Sequence, residues 1–311
     1  MSDDKKPTLP NSGSGASPAV CTAASCPCPT KTVFKEDGDK YGWDDNTDAA
    51  VPWKSVEKGQ SDTVKAEITP ADKATAADFV SSDTGKATVS PAKAASDKQV
   101  VTVTGVEKGE TQVKSNCGGE LGKFKVATYV KKTKTVAVRL VHEKNYNSTD
   151  IADAGITERL KKVYKQAVFE FTVTRLPAKT VEFDKTTVTK KADGTPQRVA
   201  GRDTKIDVES WMSDEMKAVR DACKDDSYDY NLFIVSKPSD GSFGFMDYNQ
   251  RYGFIHADTT STPLKTIAHE LGHGAFGLEH KQSDADNIMK QGEGDSLWRL
   301  RKDQWDKINP P

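Results

Sequence analysis

The 311-residue chain has almost no net charge: 45 Lys and Arg against 46 Asp and Glu leave −1. That balance excludes a global electrostatic pull toward nucleic acid or an anionic lipid surface. Long apolar runs are missing too. Stretches such as Val136-Ala137-Val138 and Leu232-Phe233-Ile234-Val235 fall far short of the ~20 residues a membrane-spanning helix needs. Apolar residues make up only 35%, but they recur at strand and helix spacing, which excludes a wholly disordered chain. The opening MSDDKKPTLPNSGSG carries charges without an apolar segment, so no Sec-type signal peptide is expected. The chain is expected either to stay in the cytoplasm or to be exported by a machine that needs no such signal. Cysteine is scarce and odd in number. Cys21, Cys26 and Cys28 sit in a Pro- and Ala-rich stretch, with Cys117 and Cys223 far away. The first three read as tail cysteines rather than a metal or redox site, and no disulfide framework is expected.

Three segments differ in pattern. Residues 1–30 are rich in Ser, Pro, Gly and Ala and read as a disordered leader. Residues 31–130 read as β-rich. Short strand signals recur at 63–68, 77–82, 85–90, 99–106, 112–115 and 124–130, separated by turns such as Asp83-Thr84-Gly85. Strands without helices point to an antiparallel sandwich. Residues 131–311 alternate between strands and helices. Strands are expected at 135–143, 168–176 and 230–237. The spacing of Ile156, Leu160, Val163, Tyr164 and Ala167 predicts a helix. Residues 184–205 read as loop. Ser213 can cap a helix, with Asp214 and Glu215 in its first turn. Residues 243–258 read as one or two edge strands, and 297–308 as a final helix with Leu297, Leu300, Trp305 and Ile308 inward. The whole is therefore expected to be α+β.

Histidine is the scarcest informative residue. Of five in the chain, three fall within HELGHGAFGLEH, residues 269–280. Ser261 or Thr262 followed by Pro263 marks a helix start. At 100° per residue, Leu264, Ile267, Ala268, Leu271 and Ala275 share one face, while His269 and His273 lie one turn apart on the other. Two imidazoles so placed suit a zinc ion, whose nitrogen ligands must approach to about 2.0–2.1 Å from one rigid element. Glu270, offset by one residue, is placed to hold a water activated by that metal and to act as general base. His142 and His256 read as structural or surface histidines. Asp258 is a candidate for orienting a ligand imidazole.

These residues resemble the metzincin zinc endopeptidases. HExxH is followed by Gly277-Leu278-Glu279-His280, and DNIM (286–289) is similar to the family's Met-turn, with Met289 beneath the metal. The resemblance implies zinc held by His269, His273 and His280, with Glu270 as catalytic base. It also implies that an edge strand binds an extended peptide, for which Phe243, Gly244, Phe245 and Met246, in the stretch up to Tyr248, are the candidates. This chain departs from the family's HExxHxxGxxH by one extra residue before the glycine. An ungapped alignment puts Glu279 at the third-ligand position, and Glu293 fits a thermolysin-like spacing, so both stay open beside His280. Gln291 stands where some metzincins carry a tyrosine.

Residues 77–116 resemble bacterial immunoglobulin-like domains. The implied architecture is a metzincin-like domain, with a mixed sheet, an active-site helix and a C-terminal helix, preceded by an immunoglobulin-like sandwich. AHELGHGAFGLEH is also similar to metallopeptidase domains of toxins that bacteria deliver by type VI-type secretion. That likeness implies an exported antibacterial effector acting on polypeptide or peptidoglycan peptides, with an immunity protein and a secretion-machine component as partners. Two other readings remain: a zinc-stabilised binding or adhesion module, and an intracellular housekeeping metalloprotease.

Overall fold

The computed structural model describes residues 28–48, 50–143, 147–182, 186–190, 196–200, 212–236, 241–258, 260–292, 294 and 296–311. The leader up to residue 27, with Cys21 and Cys26, lies outside the described residues, as does Glu293. The described residues of the first half form nine strands: β1 (Lys31–Glu36), β2 (Trp43–Asp44), β3 (Trp53–Glu57), β4 (Ser61–Thr69), β5 (Asp78–Ser81), β6 (Ala87–Ser90), β7 (Lys98–Gly105), β8 (Gly109–Asn116) and β9 (Glu120–Tyr129). Two-residue alternation drives them. In β4, Asp62, Val64, Ala66 and Ile68 are buried while the residues between them are not. One sheet runs β1-β4-β7-β6 and the other β2-β3-β9-β8-β5. Rings from both sheets meet in the core: Phe34 of β1 lies 4.7 Å from Phe124 of β9 and 6.2 Å from Phe79 of β5.

Two expectations change here. The strands are not all antiparallel, because β3 pairs with β9 in parallel. And Cys28 is no tail cysteine: it is disulfide-bonded to Cys117 across a sequence separation of 89, with Cα atoms 5.6 Å apart. The packing of the two sheets brings these positions together, Cys28 standing just before β1 of one and Cys117 just after β8 of the other, so spacing along the chain could not reveal the bridge.

The second half contributes β10 (Lys132–Glu143), β11 (Phe169–Val181), β12 (Thr186–Lys190), β13 (Pro196–Ala200), β14 (Tyr230–Val235), β15 (Gly244–Phe245) and β16 (Tyr252–His256). Its helices are α1 (Asp153–Tyr164), α2 (Asp214–Cys223), α3 (Pro263–Phe276) and α4 (Lys302–Ile308). A five-stranded sheet runs β11-β10-β14-β16-β15. Its pairs are parallel except β15, which joins β16 antiparallel at the edge. Alternation in β14 divides the core. Leu232 and Ile234 belong to the large cluster with α1 and α3, whereas Phe233 and Val235 pack with α2. Ser213 caps α2 as read, its hydroxyl accepting from Met216 N at 3.1 Å.

Three further corrections follow. The stretch read as loop over 184–205 contains an antiparallel pair, β12 with β13; each strand has only one or two apolar residues, so no alternation announced it. Of the two strands in 243–258, only β15 is an edge, since β16 is flanked by β14 and β15. The final helix starts at Lys302 rather than 297, because Gln304 Oε1 accepts from Arg301 N at 2.9 Å and closes the turn there. Leu297, Leu300, Trp305 and Ile308 are nonetheless buried. No helix among the described residues is long and apolar enough to cross a membrane.

Candidate metal centre

Helix α3 is buried along most of its length, not only on its apolar face: Lys265 to Gly274 are all buried. Pro263 sits at its first turn, and Thr262 occupies the cap position without a side-chain capping bond. Instead Thr260 Oγ1 accepts from Thr262 N at 3.0 Å. The helix C-terminus is held by Phe276, whose ring packs 4.9 Å from Phe169, 5.5 Å from Tyr164 and 5.8 Å from Phe171. Gly277 then reverses the chain at φ +60, a left-handed conformation that a side chain resists. Leu278 N donates back to Gly272 O at 3.0 Å.

The loop so made absorbs the extra residue. His280 Nε2 comes to 3.2 Å from His269 Nε2 and 3.1 Å from His273 Nε2, and the latter two are 3.1 Å apart. Among the described residues, these three histidines are the group that could hold a metal ion. Glu279, the ungapped alternative, is exposed and outside that group. Two of the rings are oriented from behind. His269 Nδ1 donates to Ile288 O at 2.9 Å and His273 Nδ1 to Leu278 O at 2.6 Å. Backbone carbonyls thus do what Asp258 was a candidate for; Asp258 accepts from Thr149 Oγ1 instead. A carbonyl partner on Nδ1 leaves the Nε2 lone pair facing the group. Tetrahedral ligand nitrogens at 2.0–2.1 Å from zinc stand about 3.3–3.4 Å apart, so the observed separations fit one such ion.

Burial sets the protonation states. It pushes His269 down to about 2 and His273 down to about 4, with the nearby Lys265 ammonium adding to the effect. His280 is exposed and also lowered, by burial of part of its ring and by Lys265. All three rings are therefore held in the neutral form that ligates metal. Burial pushes the Glu270 carboxyl the other way, up to about 8, opposed by Lys265 and by a hydrogen bond from Met246 N.

A cleft of about 430 Å³ joins these parts. Its walls include Phe243 to Tyr248 on one side, and Lys265, Glu270 and the three histidines on the other. Within the candidate strand, Gly244 and Phe245 form β15, while Met246 is buried and turns inward. Met289 is fully buried under the helix, its sulfur 2.5 Å from where a Cβ at Gly272 would stand. His256 is buried at the end of β16, with Nδ1 donating to Ser236 O at 2.8 Å, and neither it nor His142 joins the group.

One cleft residue, Lys265, escaped the sequence reading. Lys265 Nζ lies 3.4 Å from His269 Nδ1 and donates to Lys290 O at 2.9 Å. It precedes His269 by four residues, so helical spacing alone places it on the histidine face. Tyr248, the end of the stretch read as the candidate substrate strand, is half exposed and stands edge-on to His273 with ring centres 5.1 Å apart.

No family model matches the chain, and no curated protein matches it. Among solved structures, metalloproteinase-II from Bacteroides fragilis is similar over 82% of this chain and 84% of its own, at 12% identity and a TM-score of 0.34. An S-layer protein, SbsC, is similar over 25% of this chain at 28% identity and a TM-score of 0.21, and this chain spans 12% of that one. Domains 5–6 of the same S-layer protein are similar over 32% of this chain and 46% of theirs, at 23% identity and a TM-score of 0.22. The functional reading rests on the residues of the site themselves.

Proposed function

We propose that the chain is a zinc-dependent endopeptidase, in which His269, His273 and His280 hold the ion and Glu270 is the catalytic base. The observation that carries this reading is the approach of three Nε2 atoms to within 3.2 Å of one another, in a cleft that also contains the Glu270 carboxyl. When bound there, zinc supplies Lewis acidity toward an attacking water and the scissile carbonyl. Glu270 takes the proton from that water and returns it to the leaving amine. Burial raises the Glu270 carboxyl, and a cation held beside it would favour the ionised form that accepts the proton. The edge strand β15 offers its free backbone to an extended peptide, antiparallel, beside the same cleft.

An open cleft and an intact Glu270 favour catalysis over a closed structural site, which has no use for a base. The Cys28–Cys117 bridge supports a working environment that is oxidising, hence export. With the sequence likeness to delivered toxins, the biological reading is an exported antibacterial effector acting on polypeptide or peptidoglycan peptides. An inhibitor made by the producing cell and a component of the secretion machine are its implied partners.

The test is metal content and hydrolysis of a fluorogenic peptide mixture by the full chain. Glu270→Gln should keep stoichiometric zinc and lose hydrolysis by at least about 100-fold; His280→Ala should lose zinc. A Glu270→Gln protein as active as the parent, or a parent that binds no zinc, would end this reading. Growth arrest only when the chain is directed to the periplasm supports the effector role, and arrest from cytoplasmic expression alone opposes it.

A further inference from the structure

The residues behind the histidine group lead away from the cleft and into the other half of the chain. His269 Nδ1 is held by Ile288 O at 2.9 Å. Ile288 lies in a turn organised by Asn287, which is fully buried. Asn287 Oδ1 accepts from Met289 N at 2.9 Å, and its Nδ2 donates to Gln304 Oε1 at 2.8 Å and to Asp284 Oδ2 at 3.1 Å. Asp284 is gripped in turn by Arg301, whose Nε donates to Asp284 Oδ2 at 2.6 Å and whose Nη2 reaches both Asp284 and Asp286. The Arg301 side chain is only 6% exposed.

Arg301 is itself anchored from the first half. Asp44 of β2 has no exposed surface. Its Oδ2 accepts from Lys302 N at 2.8 Å, and its Oδ1 lies 3.9 Å from Arg301 Nη1. Neighbouring contacts hold the same segment. Arg299 is paired in fork geometry with Glu36, at 2.8 and 2.6 Å. Lys302 Nζ reaches Glu110 at 2.6 Å and stands 4.4 Å above the Trp53 ring. Tyr129 donates to Asp306 at 2.8 Å.

We infer that Asp44 and Arg301 are positioning residues for the histidine group, so that the β-rich half is a built-in part of the metal site rather than a separable module. A buried guanidinium facing three carboxylates, of which Asp44 is fully buried and Asp284 and Asp286 are partly exposed, can satisfy them in few geometries. Those geometries fix the 284–289 turn, and the turn sets the direction of the Ile288 carbonyl. That carbonyl fixes the ring plane and tautomer of His269. Displacing Arg301 frees the turn, and His269 Nε2 then loses its fixed aim toward the other two nitrogens.

The inference rests on the metal reading above, so the test uses the metal directly. The full-length parent, Asp44→Ala, Asp44→Asn, Arg301→Ala and Arg301→Lys proteins are titrated with Zn²⁺ against a chromophoric chelator. Each is also loaded with Co²⁺ for its visible absorption, and melting temperatures are recorded. The expected result is a 10- to 100-fold loss of zinc affinity in Asp44→Ala and in both Arg301 variants, the range typical of residues that orient ligands. An altered Co²⁺ spectrum should accompany it. Asp44→Asn, which keeps an oxygen for Lys302 N, should recover most of the loss. If Arg301→Ala does not fold, Arg301→Lys carries the test, because it keeps the charge and removes the fork. Variants with lowered melting temperatures but parental zinc affinity and Co²⁺ spectra would overturn this inference alone. A parent that binds neither ion overturns the metallopeptidase reading together with it.

Discussion

The backbone of Gly244 lies directly against the side chain of Glu270: a Cβ added at Gly244 would stand 2.9 Å from Glu270 Cγ and 2.8 Å from Thr266 Cγ2. The strand offered to a substrate and the proposed base are thus in van der Waals contact, with no room for a methyl group between them. Gly244→Ala is therefore expected to push Glu270 or the edge strand aside while leaving the three histidines in place. Zinc content should stay parental and peptide hydrolysis should fall at least ~10-fold, since small displacements of reacting groups are costly. Parental activity in a correctly folded Gly244→Ala protein would show that the contact has no catalytic consequence.

Acid and alkali should affect the metal-free chain through different residues. His269 is pushed down to about 2 and His273 to about 4. The folded state holds fewer protons on these rings than the unfolded one, so their contribution to stability is complete above about 6.5 and is lost as pH falls toward 4 and then 2. Glu270, raised to about 8 from 4.5, has the opposite sign. Its contribution is complete below about 4.5 and is lost as pH rises through 8. Metal-free parent should therefore melt at lower temperature at pH 9 than at pH 6.5, and Glu270→Gln should flatten that fall. Equal falls in the two proteins would place the alkaline loss elsewhere.

Phe276 is the last residue of α3, and it anchors the longer exit that this chain uses before Gly277. Its ring touches Tyr164, Phe169 and Phe171. Phe276→Ala should cost about 2–3 kcal/mol, somewhat below the usual range for a fully buried Phe, because this ring is only partly covered. His280, which depends on the loop beyond, should ligate less well, so zinc affinity should drop more than in a variant of equal stability loss far from the loop. Urea unfolding combined with zinc competition measures both.

The Cys28–Cys117 bridge closes a long loop, and loop closure of that length stabilises mainly by restricting the unfolded chain. Reduction, or Cys28→Ser with Cys117→Ser, should lower stability by about 2–4 kcal/mol. Activity of the folded remainder should survive, since neither cysteine lines the cleft. Unchanged unfolding with and without reductant would remove the stabilising role and the support it lends to an oxidising destination.

Much of the candidate site is legible in the sequence. His269, Glu270 and His273 sit within five residues on one helix, where spacing dictates which side chains share a face. Lys265 obeys the same rule, standing four residues before His269 on the same face. His280 was legible as a residue type after a glycine, but the extra position before Gly277 left its direction open. The Phe276 aromatic contacts and the left-handed turn settled where it goes. The contact of Tyr248 with His273, the Ile288 and Leu278 carbonyls behind the rings, and the Asp44–Arg301 connection carried no sequence signal. The carbonyls are aimed by the loops that follow α3, and the Asp44–Arg301 connection joins positions far apart in sequence through the packing of the two halves.

Local pattern alone accounts for the strands whose alternation or apolar runs are clear, such as β4, β7, β9, β10 and β14, for the helix that carries two histidines one turn apart, for the cap at Ser213 and for the near-zero net charge. Those follow from local geometry, in which a residue's face is set by its neighbours within a few positions. The tertiary structure alone decided the parallel pairing of β3 with β9, the Cys28–Cys117 bridge, the return of His280 and the clasp of residues 299–306 by the first half. These are through-space pairings, chosen by which buried polar groups and rings can be satisfied together, and no local spacing encodes that choice.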